Sequence, residues 1–146
     1  MAYEFKTTRR VEFSDTDMAG IMHFSKFFQF METAEHAFFR SLGFSIDTRD
    51  LQVGWPRVDA SCQYKAPLRF EDVAEIHLLV AEKKEKSIRY QFLFKNEGVE
   101  VARGSVTTVC VKRDEQGKMR ATAIPQPLAS LIEEAPAELL EQFKSA

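Results

Sequence analysis

A wide apolar stripe between residues 25 and 43 constrains the fold more than any other feature of the sequence. Its side chains recur at steps of three and four residues, the spacing of one helix face, and they are Phe27, Phe30, Met31, Ala34, Ala37, Phe38 and Leu42. Phe28 and Phe39 widen the stripe, so we expect a helix that is enclosed on more than one side. Ser25 is placed to cap this helix, and Gly43 to end it in a left-handed conformation.

Most of the remaining chain alternates with the period of two that is typical of β-strands. We predict strands over residues 3–14, 58–65, 73–82, 88–95 and 99–112, with Gly104 as a candidate bulge. The short connections at 82–87 and 96–98 favour antiparallel hairpins, and hence four strands in a meander after the helix. A short helix is predicted over residues 128–134, and Pro136 is expected to prevent its extension.

The length and composition are those of one globular domain. The chain has 146 residues, of which 45% are hydrophobic, which is enough for one core and too little for two ordinary domains. We therefore assign residues 1–146 to a single α+β domain in which one helix packs on one face of an antiparallel sheet. The other face of the sheet must also be covered, and a homodimer or homotetramer would cover it.

Charge, hydropathy and cysteine content exclude several classes of protein. A net charge of −2 does not provide the broad basic field of a nucleic-acid-binding protein. No apolar run reaches the length of a membrane span or of a signal peptide, so neither membrane insertion nor secretion is expected. Cys62 and Cys110 have no partner at metal-ligand spacing, so we expect two reduced core thiols, no metal site and a cytoplasmic location.

Residues 15–24 read Asp-Thr-Asp-Met-Ala-Gly-Ile-Met-His-Phe and lead into the helix that carries Phe27, Phe28 and Glu32. This segment resembles the acyl-CoA thioesterases of the 4-hydroxybenzoyl-CoA thioesterase type, including the Tol-Pal-associated subgroup, and weaker likeness continues through 64–72, 82–87 and 120–125. The resemblance implies a hotdog fold, an antiparallel sheet wrapped around one long central helix. It also implies an acyl-CoA or acyl-carrier thioester as substrate, with coenzyme A entering as part of that substrate and no separate cofactor.

The resemblance implies that Asp17 is the catalytic carboxylate. An ionised carboxylate can activate a water molecule or attack the thioester carbonyl itself. The oxyanion donor that the resemblance implies is the backbone N–H of Phe24, since a helix N-terminus offers free N–H groups and a positive dipole end. For Asp15 we expect a structural role, in which its carboxylate accepts hydrogen bonds from the turn backbone.

His23 stands at a position where this chain departs from the Tol-Pal-associated subgroup. Those enzymes usually carry Tyr-His where this sequence has His23-Phe24. An offset of one residue at a helix start turns a side chain by about 100°. His23 is thus a candidate for catalysis or substrate contact, with a capping or pocket-lining role as the alternative. For Glu32 we expect a structural pairing with an arginine or with the backbone.

The resemblance also implies residues that bind the substrate. Gly20 belongs to the turn that carries Asp17, while Lys84, Lys86, Ser87 and Arg120 match positions that contact coenzyme A. The alternative for the lysines is a solvated charged hairpin. Candidates for the acyl pocket are Phe27, Phe28, Trp55 and Pro56.

Thioester hydrolysis is therefore the function that the sequence predicts, and two alternatives stay open. One is a hotdog dehydratase or hydratase that acts on an acyl thioester through His23 and a helix carboxylate, Glu32 or Glu35. The other is an acyl-CoA-binding protein that kept the fold without catalysis.

Overall fold

The computed structural model describes residues 1–47 and 49–144. Its strands and helices are β1 (Glu4–Arg10), α1 (Lys26–Ser41), β2 (Arg57–Tyr64), β3 (Val73–Lys83), β4 (Ser87–Asn96), β5 (Val99–Val109), β6 (Val111–Arg113), β7 (Met119–Ala121), α2 (Gln126–Ala129) and α3 (Ala137–Lys144). Short 3-10 turns lie at Phe13–Asp15 and Arg49–Leu51. The predicted α+β class and the predicted long helix are both confirmed.

Five strands form one antiparallel sheet in the order β1-β3-β4-β5-β2, and β6 pairs with β7 in a separate hairpin. The predicted meander of four consecutive strands is wrong at β2, which lies at the far edge beside β5 rather than beside β3. The place beside β3 is taken by β1. The alternation of side chains specifies which face of a strand is buried, but it carries no information about the lateral neighbour.

The sheet curves around α1. This helix contacts β1 and β2, which are the two opposite edges of the sheet, and also β3 inside it. Five strands at about 4.8 Å spacing span about twice the width of one helix with its side chains. Both edges of the sheet therefore reach α1 only if the sheet bends towards it. At the β1 edge, the Arg9 Nη1 group donates to Thr33 Oγ1 at 2.7 Å.

The buried face of α1 agrees with the predicted stripe, and the helix ends as predicted. Gly43 has a φ of +89°, and the Phe44 N–H donates to the Phe39 carbonyl at 3.0 Å. The start differs from the prediction, because Ser25 makes no side-chain hydrogen bond to the helix backbone. Instead, the backbone N–H of Ser25 donates to the His23 Nδ1 atom at 3.3 Å, so the histidine side chain accepts a hydrogen bond at the helix start.

Gly104 is not a bulge. It pairs in regular register with Phe92 on one side and with Cys62 on the other. A Cβ atom at this position would overlap the end of the Met31 side chain, which is only 1% exposed. The glycine therefore makes room for the Met31 side chain of α1 against β5, and close approach of another group is the second common reason for a glycine inside a strand.

The other face of the sheet is partly covered by the C-terminal segment. Leu79 and Leu93 of the sheet are buried there against Ala135 and Phe143. The predicted C-terminal helix is wrong in extent, because α2 has four residues and α3 begins directly after Pro136. Proline is well tolerated just before or at the first helical position, since its missing N–H has no helical partner there.

Two strand predictions also need correction. The first strand ends at Arg10, because the chain turns into a 3-10 segment at Phe13–Asp15 rather than continuing to Ser14. The last long strand is divided at Cys110 into β5 and β6. In both places backbone hydrogen bonds continue to other residues, from Val11 to Asp72 and from Val111 to Gly54, although the chain leaves the five-stranded sheet.

Replacement of Gly104 by alanine should lower the free energy of unfolding by about 1–3 kcal/mol, because Met31 must leave its buried position. Chemical denaturation measures this change. Ser105→Ala in the same strand is the control, with an expected change within about 0.5 kcal/mol.

A double-mutant cycle tests the cause. In a Met31→Ala background the added methyl group has room, so the penalty of Gly104→Ala should largely disappear. An equal penalty in both backgrounds would show that the contact with Met31 is not responsible.

Candidate active site

The segment after β1 forms a small closed turn that holds Asp17. Thr16 pairs with Met22, and the Asp17 N–H donates to the Ile21 carbonyl at 2.9 Å. The Gly20 N–H in turn donates to the Asp17 carbonyl at 3.0 Å, and Gly20 has a φ of +81°. This left-handed conformation strains most other residues, which explains the glycine at this place.

Asp15 is a structural residue, as predicted. It is 3% exposed, and its Oδ2 atom accepts a hydrogen bond from the Glu12 N–H at 2.9 Å. Its carbonyl accepts a further bond from the His23 N–H at 2.8 Å. Asp15 therefore connects the end of β1 to the start of α1.

Asp17 presents a partly exposed carboxylate of fixed orientation. Its Oδ1 atom accepts a hydrogen bond from the Ala19 N–H at 2.8 Å, which holds the side chain against the turn. Within the described residues, the Oδ2 atom has no hydrogen-bond partner. One carboxylate oxygen thus positions the group, and the other is available to a water molecule or a carbonyl carbon.

The start of α1 offers a free backbone donor. The Lys26 N–H donates to the His23 carbonyl at 2.9 Å, and the Ser25 N–H donates to the His23 side chain, but the Phe24 N–H finds no acceptor in residues 1–47 and 49–144. Free N–H groups at a helix start attract negative charge. The Phe24 side chain is 63% exposed, and the group of this residue that can bind an anion is the backbone N–H rather than the ring.

The arrangement of His23 fixes its neutral tautomer. A backbone N–H can only donate, so the Nδ1 atom that receives the Ser25 N–H must be unprotonated. The Ser25 hydroxyl lies 2.8 Å from the same nitrogen, and the imidazole stacks on the Phe24 ring. The proton of neutral His23 is therefore on Nε2, and Nδ1 is occupied at the helix start.

Tyr64 is a residue of this region that sequence reasoning missed. Its hydroxyl donates to the Phe24 carbonyl at 2.9 Å, and its ring meets the Phe27 ring edge-on at 5.1 Å. Burial raises the pKa of Tyr64 to about 12, so the hydroxyl keeps its proton at neutral pH. The end of β2 thereby fixes the first turn of α1, a contact between segments that no local pattern encodes.

The predicted coenzyme A contacts lie at the other end of the sheet. Lys84, Lys86 and Ser87 form the connection between β3 and β4, and Lys84 donates its N–H to the Ser87 carbonyl at 2.9 Å. Arg120 lies in β7, where its Nε atom donates to Asp114 Oδ2 at 2.7 Å. The Asp17 turn lies instead beside Arg69, which pairs with Ile21 shortly before β3 begins, and the length of β3 corresponds to roughly 30 Å. One chain therefore does not bring the two groups together.

A buried ion pair connects α1 to β2 near the end of the sheet that carries Lys84 and Lys86. Arg57 donates from Nη2 to Glu35 Oε1 and from Nη1 to the Trp55 carbonyl at 2.8 Å. Glu32 Oε2 lies 3.6 Å from the same guanidinium, which confirms the predicted pairing of Glu32 with an arginine. Burial raises the pKa of Glu35 to about 7, and the charge of Arg57 only partly opposes that shift.

The candidates for the acyl pocket are distributed over different environments. Phe28 lines a cavity of about 220 Å³ beside the buried ion pair. Phe27 belongs to the core, Trp55 packs edge-on against Phe39, and Pro56 is exposed.

No group of three or more potential metal ligands is found in the described part of the chain, and none of its helices is long and apolar enough to cross a membrane.

Comparison with known proteins assigns this chain to a family. The family profile described as "Thioesterase-like superfamily" matches residues 11–143. An acyl-CoA thioesterase of Haemophilus influenzae is 24% identical over 80% of this chain and 85% of its own length. The structure of a gentisyl-coenzyme A thioesterase is 33% identical, with a TM-score of 0.76 over 86% of this chain and 99% of the other.

A more distant structure supports the fold alone. The 4-hydroxybenzoyl-CoA thioesterase from Pseudomonas sp. strain CBS-3 is 22% identical, with a TM-score of 0.78 over 89% of this chain and 99% of the other. The predicted hotdog fold is thereby confirmed.

The raised pKa of Glu35 predicts a pH-dependent stability. Folded protein keeps this proton up to about pH 7, whereas the unfolded chain loses it near the usual value of 4.5. The folded state binds more protons in that window, so its stability is greatest below the window and falls as the pH rises through it. Between pH 4.5 and 7.5, the wild-type free energy of unfolding should fall by about 2–3 kcal/mol relative to Glu35→Gln.

Denaturation curves at both pH values measure this difference. Four further groups face the same region and are present in both proteins, namely His36, Glu32, Arg57 and Tyr90. Subtracting the pH dependence of Glu35→Gln from that of the wild type therefore reduces the contribution of these four groups. Glu32→Gln is the matched control and should keep most of the wild-type slope, because the Glu32 charge is the smallest cause of the raised pKa of Glu35. A Glu35→Gln protein with the wild-type slope would contradict the assignment.

Proposed function

This chain belongs to the thioesterase-like superfamily, and on that premise we propose that it hydrolyses an acyl-CoA or acyl-carrier thioester to a free acid and a thiol, with Asp17 as the catalytic carboxylate. The observation that carries this proposal is the presence of two unsatisfied groups, one in the turn after β1 and one at the start of α1. They are the Oδ2 atom of Asp17 and the backbone N–H of Phe24. One is suited to deliver an oxygen nucleophile, and the other to stabilise the negative charge that then develops.

The proposed reaction proceeds through a tetrahedral intermediate. Asp17 takes a proton from water, the resulting hydroxide adds to the thioester carbonyl carbon, and the carbonyl oxygen becomes an anion that accepts the Phe24 N–H. The carbon–sulfur bond then breaks, and the proton held by Asp17 passes to the thiolate. Such a backbone donor contributes about 10²–10³ in rate in other hydrolases.

Direct attack by Asp17 on the carbonyl carbon is the second route through the same residues. It would form an acyl–aspartyl anhydride and release the thiol, and water would then hydrolyse the anhydride. A single turnover in ¹⁸O-labelled water distinguishes the two routes, because only the covalent route can place the label in the Asp17 carboxylate. Neither route needs a group beyond water and the chain itself.

We further propose that a second copy of the chain completes the site. The edge strand β2 exposes its unpaired backbone and apolar side chains, with Val58 60% and Tyr64 45% exposed. Such an edge is a template for pairing with another strand. Antiparallel pairing of β2 with its copy would place the Tyr64 end of one chain beside the Arg57 end of the other.

That pairing would shorten the distance between the two predicted groups. Arg57 pairs with Thr108 of β5, and Ser87 pairs with the next residue, Val109. The β3–β4 connection with Lys84 and Lys86 therefore lies at the Arg57 end of the sheet. In the proposed dimer it would lie at the same end as the Asp17 turn of the second copy.

A cytoplasmic location accords with the free thiols of Cys62 and Cys110.

Replacement of Asp17 by asparagine should lower kcat for acyl-CoA hydrolysis by about 10³-fold or more, because an amide neither accepts the proton nor attacks the carbonyl. Release of free thiol from a panel of acyl-CoA substrates measures the rate. Asp50→Asn, at an exposed position outside the site, should keep the wild-type rate, and thermal denaturation verifies that both variants fold.

The outcomes separate the candidate functions. Equal rates in wild type and Asp17→Asn would remove Asp17 from the mechanism. An enoyl-CoA chromophore without thiol release would indicate a dehydratase, and tight acyl-CoA binding without turnover would indicate a binding protein.

The variant Lys84→Ala/Lys86→Ala should raise KM for acyl-CoA by about three- to fivefold and leave kcat nearly unchanged, because exposed contacts to phosphate are individually weak. Hydrolysis of the corresponding acyl-pantetheine, which lacks the nucleotide, should be unaffected. Lys144→Ala, on α3, is the matched control for removal of a surface charge. An equal loss on both substrates would contradict a role in nucleotide binding.

Subunit exchange tests the shared site. In a heterodimer of Asp17→Asn with Lys84→Ala/Lys86→Ala, a site built from two copies has one wild-type combination and regains the wild-type KM. A site built within one chain always keeps one defect, so the mixture would then retain the raised KM.

A further inference from the structure

The peptide unit that joins Phe24 to Ser25 is held at both of its polar atoms. Its carbonyl oxygen accepts the Tyr64 hydroxyl at 2.9 Å, and its N–H donates to the His23 Nδ1 atom at 3.3 Å. Tyr64 is the last residue of β2, whereas His23 lies two residues before Ser25. A distant strand and the local chain thus act on the same peptide plane.

The preceding peptide unit, which contains the Phe24 N–H, is fixed as well. Its carbonyl belongs to His23 and accepts the Lys26 N–H at 2.9 Å. The N–H of His23 donates to the Asp15 carbonyl at 2.8 Å. Of the four polar atoms in these two peptide units, only the Phe24 nitrogen has no hydrogen-bond partner in the part of the chain that the structure describes.

Two fixed peptide planes determine the direction of the Phe24 N–H. A peptide unit is planar, and only two soft dihedral angles connect one unit to the next. Both units that meet at the Phe24 Cα atom are bonded elsewhere, so neither angle can change without the loss of a hydrogen bond. A donor held in this way stabilises developing negative charge without reorganising at the moment of reaction.

Ser25 does not provide the usual cap at the start of α1. An N-cap side chain normally accepts a hydrogen bond from a backbone N–H two or three residues later. Ser25 makes no such bond, and its hydroxyl lies 2.8 Å from the His23 Nδ1 atom instead. Helix ends tend to fray, so the order of this first turn depends on the contacts made by His23 and Tyr64.

We infer that Tyr64 and His23 are positioning residues of the reaction, which together hold the Phe24–Ser25 peptide and thereby aim the Phe24 N–H at the carbonyl oxygen of the thioester. This role rests on the proposed function, because it acts through the proposed oxyanion donor. Tyr64 acts through its hydroxyl and His23 through its Nδ1 atom, and neither of these atoms needs to touch the substrate.

The variant Tyr64→Phe removes only the hydroxyl and keeps a ring beside Phe27. Its kcat for thiol release from acyl-CoA should fall about tenfold, because a small displacement of a catalytic group is costly in rate. KM should stay within about twofold of the wild-type value, since the oxyanion develops only in the transition state.

Tyr3→Phe is the matched control, because Tyr3 packs in the separate cluster on the other face of the sheet. It should keep the wild-type kcat. An unchanged kcat in Tyr64→Phe would overturn the role of Tyr64. A rise in KM without a fall in kcat would also overturn it, since the hydroxyl would then contact the substrate.

Two amide variants of His23 separate positioning from proton transfer. The side-chain oxygen of asparagine is attached at the same carbon as Nδ1 and can accept the Ser25 N–H, as in an Asx turn, whereas the amide of glutamine lies one carbon farther out. His23→Asn should keep kcat within about threefold of the wild type, and His23→Gln should lower it about tenfold. Equal losses in the two variants would overturn the positioning role, because neither amide replaces an imidazole that transfers a proton.

Amide hydrogen exchange measures the order of the first turn without a catalytic assay. The N–H groups of Lys26 and Phe28 donate to the carbonyls of His23 and Ser25. In Tyr64→Phe and in His23→Gln, these two amides should exchange about fivefold faster than in the wild type. The amide of Phe38, near the other end of α1, should keep its rate. Unchanged exchange at Lys26 and Phe28, or equal acceleration at Phe38, would overturn the inference.

The two possible failures give different results. Thiol release by the wild type, with the same kcat in Tyr64→Phe and in His23→Gln, would overturn the inference and leave the proposed function intact. Absence of thiol release by the wild type from every acyl-CoA tested would overturn the proposed function, and the positioning role with it.

Discussion

The burial of α1 against the sheet is the constraint on which the other features depend. Seven residues of this helix are buried, six of them without a charge: Phe27, Phe30, Met31, Ala34, Phe38 and Phe39. The helix contacts both edge strands, so the sheet can bury that surface only by curving around it. Gly104 makes room for the Met31 side chain, because any side chain there would displace it.

The position of α1 determines where chemistry can occur. Its first turn is tied to the end of β1 through Asp15 and to the end of β2 through Tyr64. The free N–H of Phe24 is therefore held at a fixed place beside the Asp17 turn. Farther along the same helix, Glu35 contacts Arg57 of β2, which places a polar cavity inside an otherwise apolar interface. The proposed oxyanion donor thus lies directly before this helix, and the helix itself forms one wall of the cavity.

Local patterns predicted the elements of the fold better than their arrangement. The three- and four-residue spacing of the Phe-rich stripe fixes a helix with a wide buried face, and α1 has it. The burial of Leu79 on the outer face has no local signal, since α3 covers that face from the far end of the chain. Pro136 is expected to prevent the extension of a helix, and in the structure it directly precedes α3, because proline suits the position before a first helical turn.

The sequence by itself determined the long buried helix, the antiparallel class of the sheet and the family resemblance carried by residues 15–24. Each of these depends on residues that are close in the chain, where spacing and turn chemistry act directly. The tertiary structure alone decided that β2 is an edge strand, that Tyr64 holds the helix start, and that Glu35 and Tyr90 share a cavity. Those relations join residues far apart in sequence, and packing and hydrogen bonding between segments establish them only when the chain has folded.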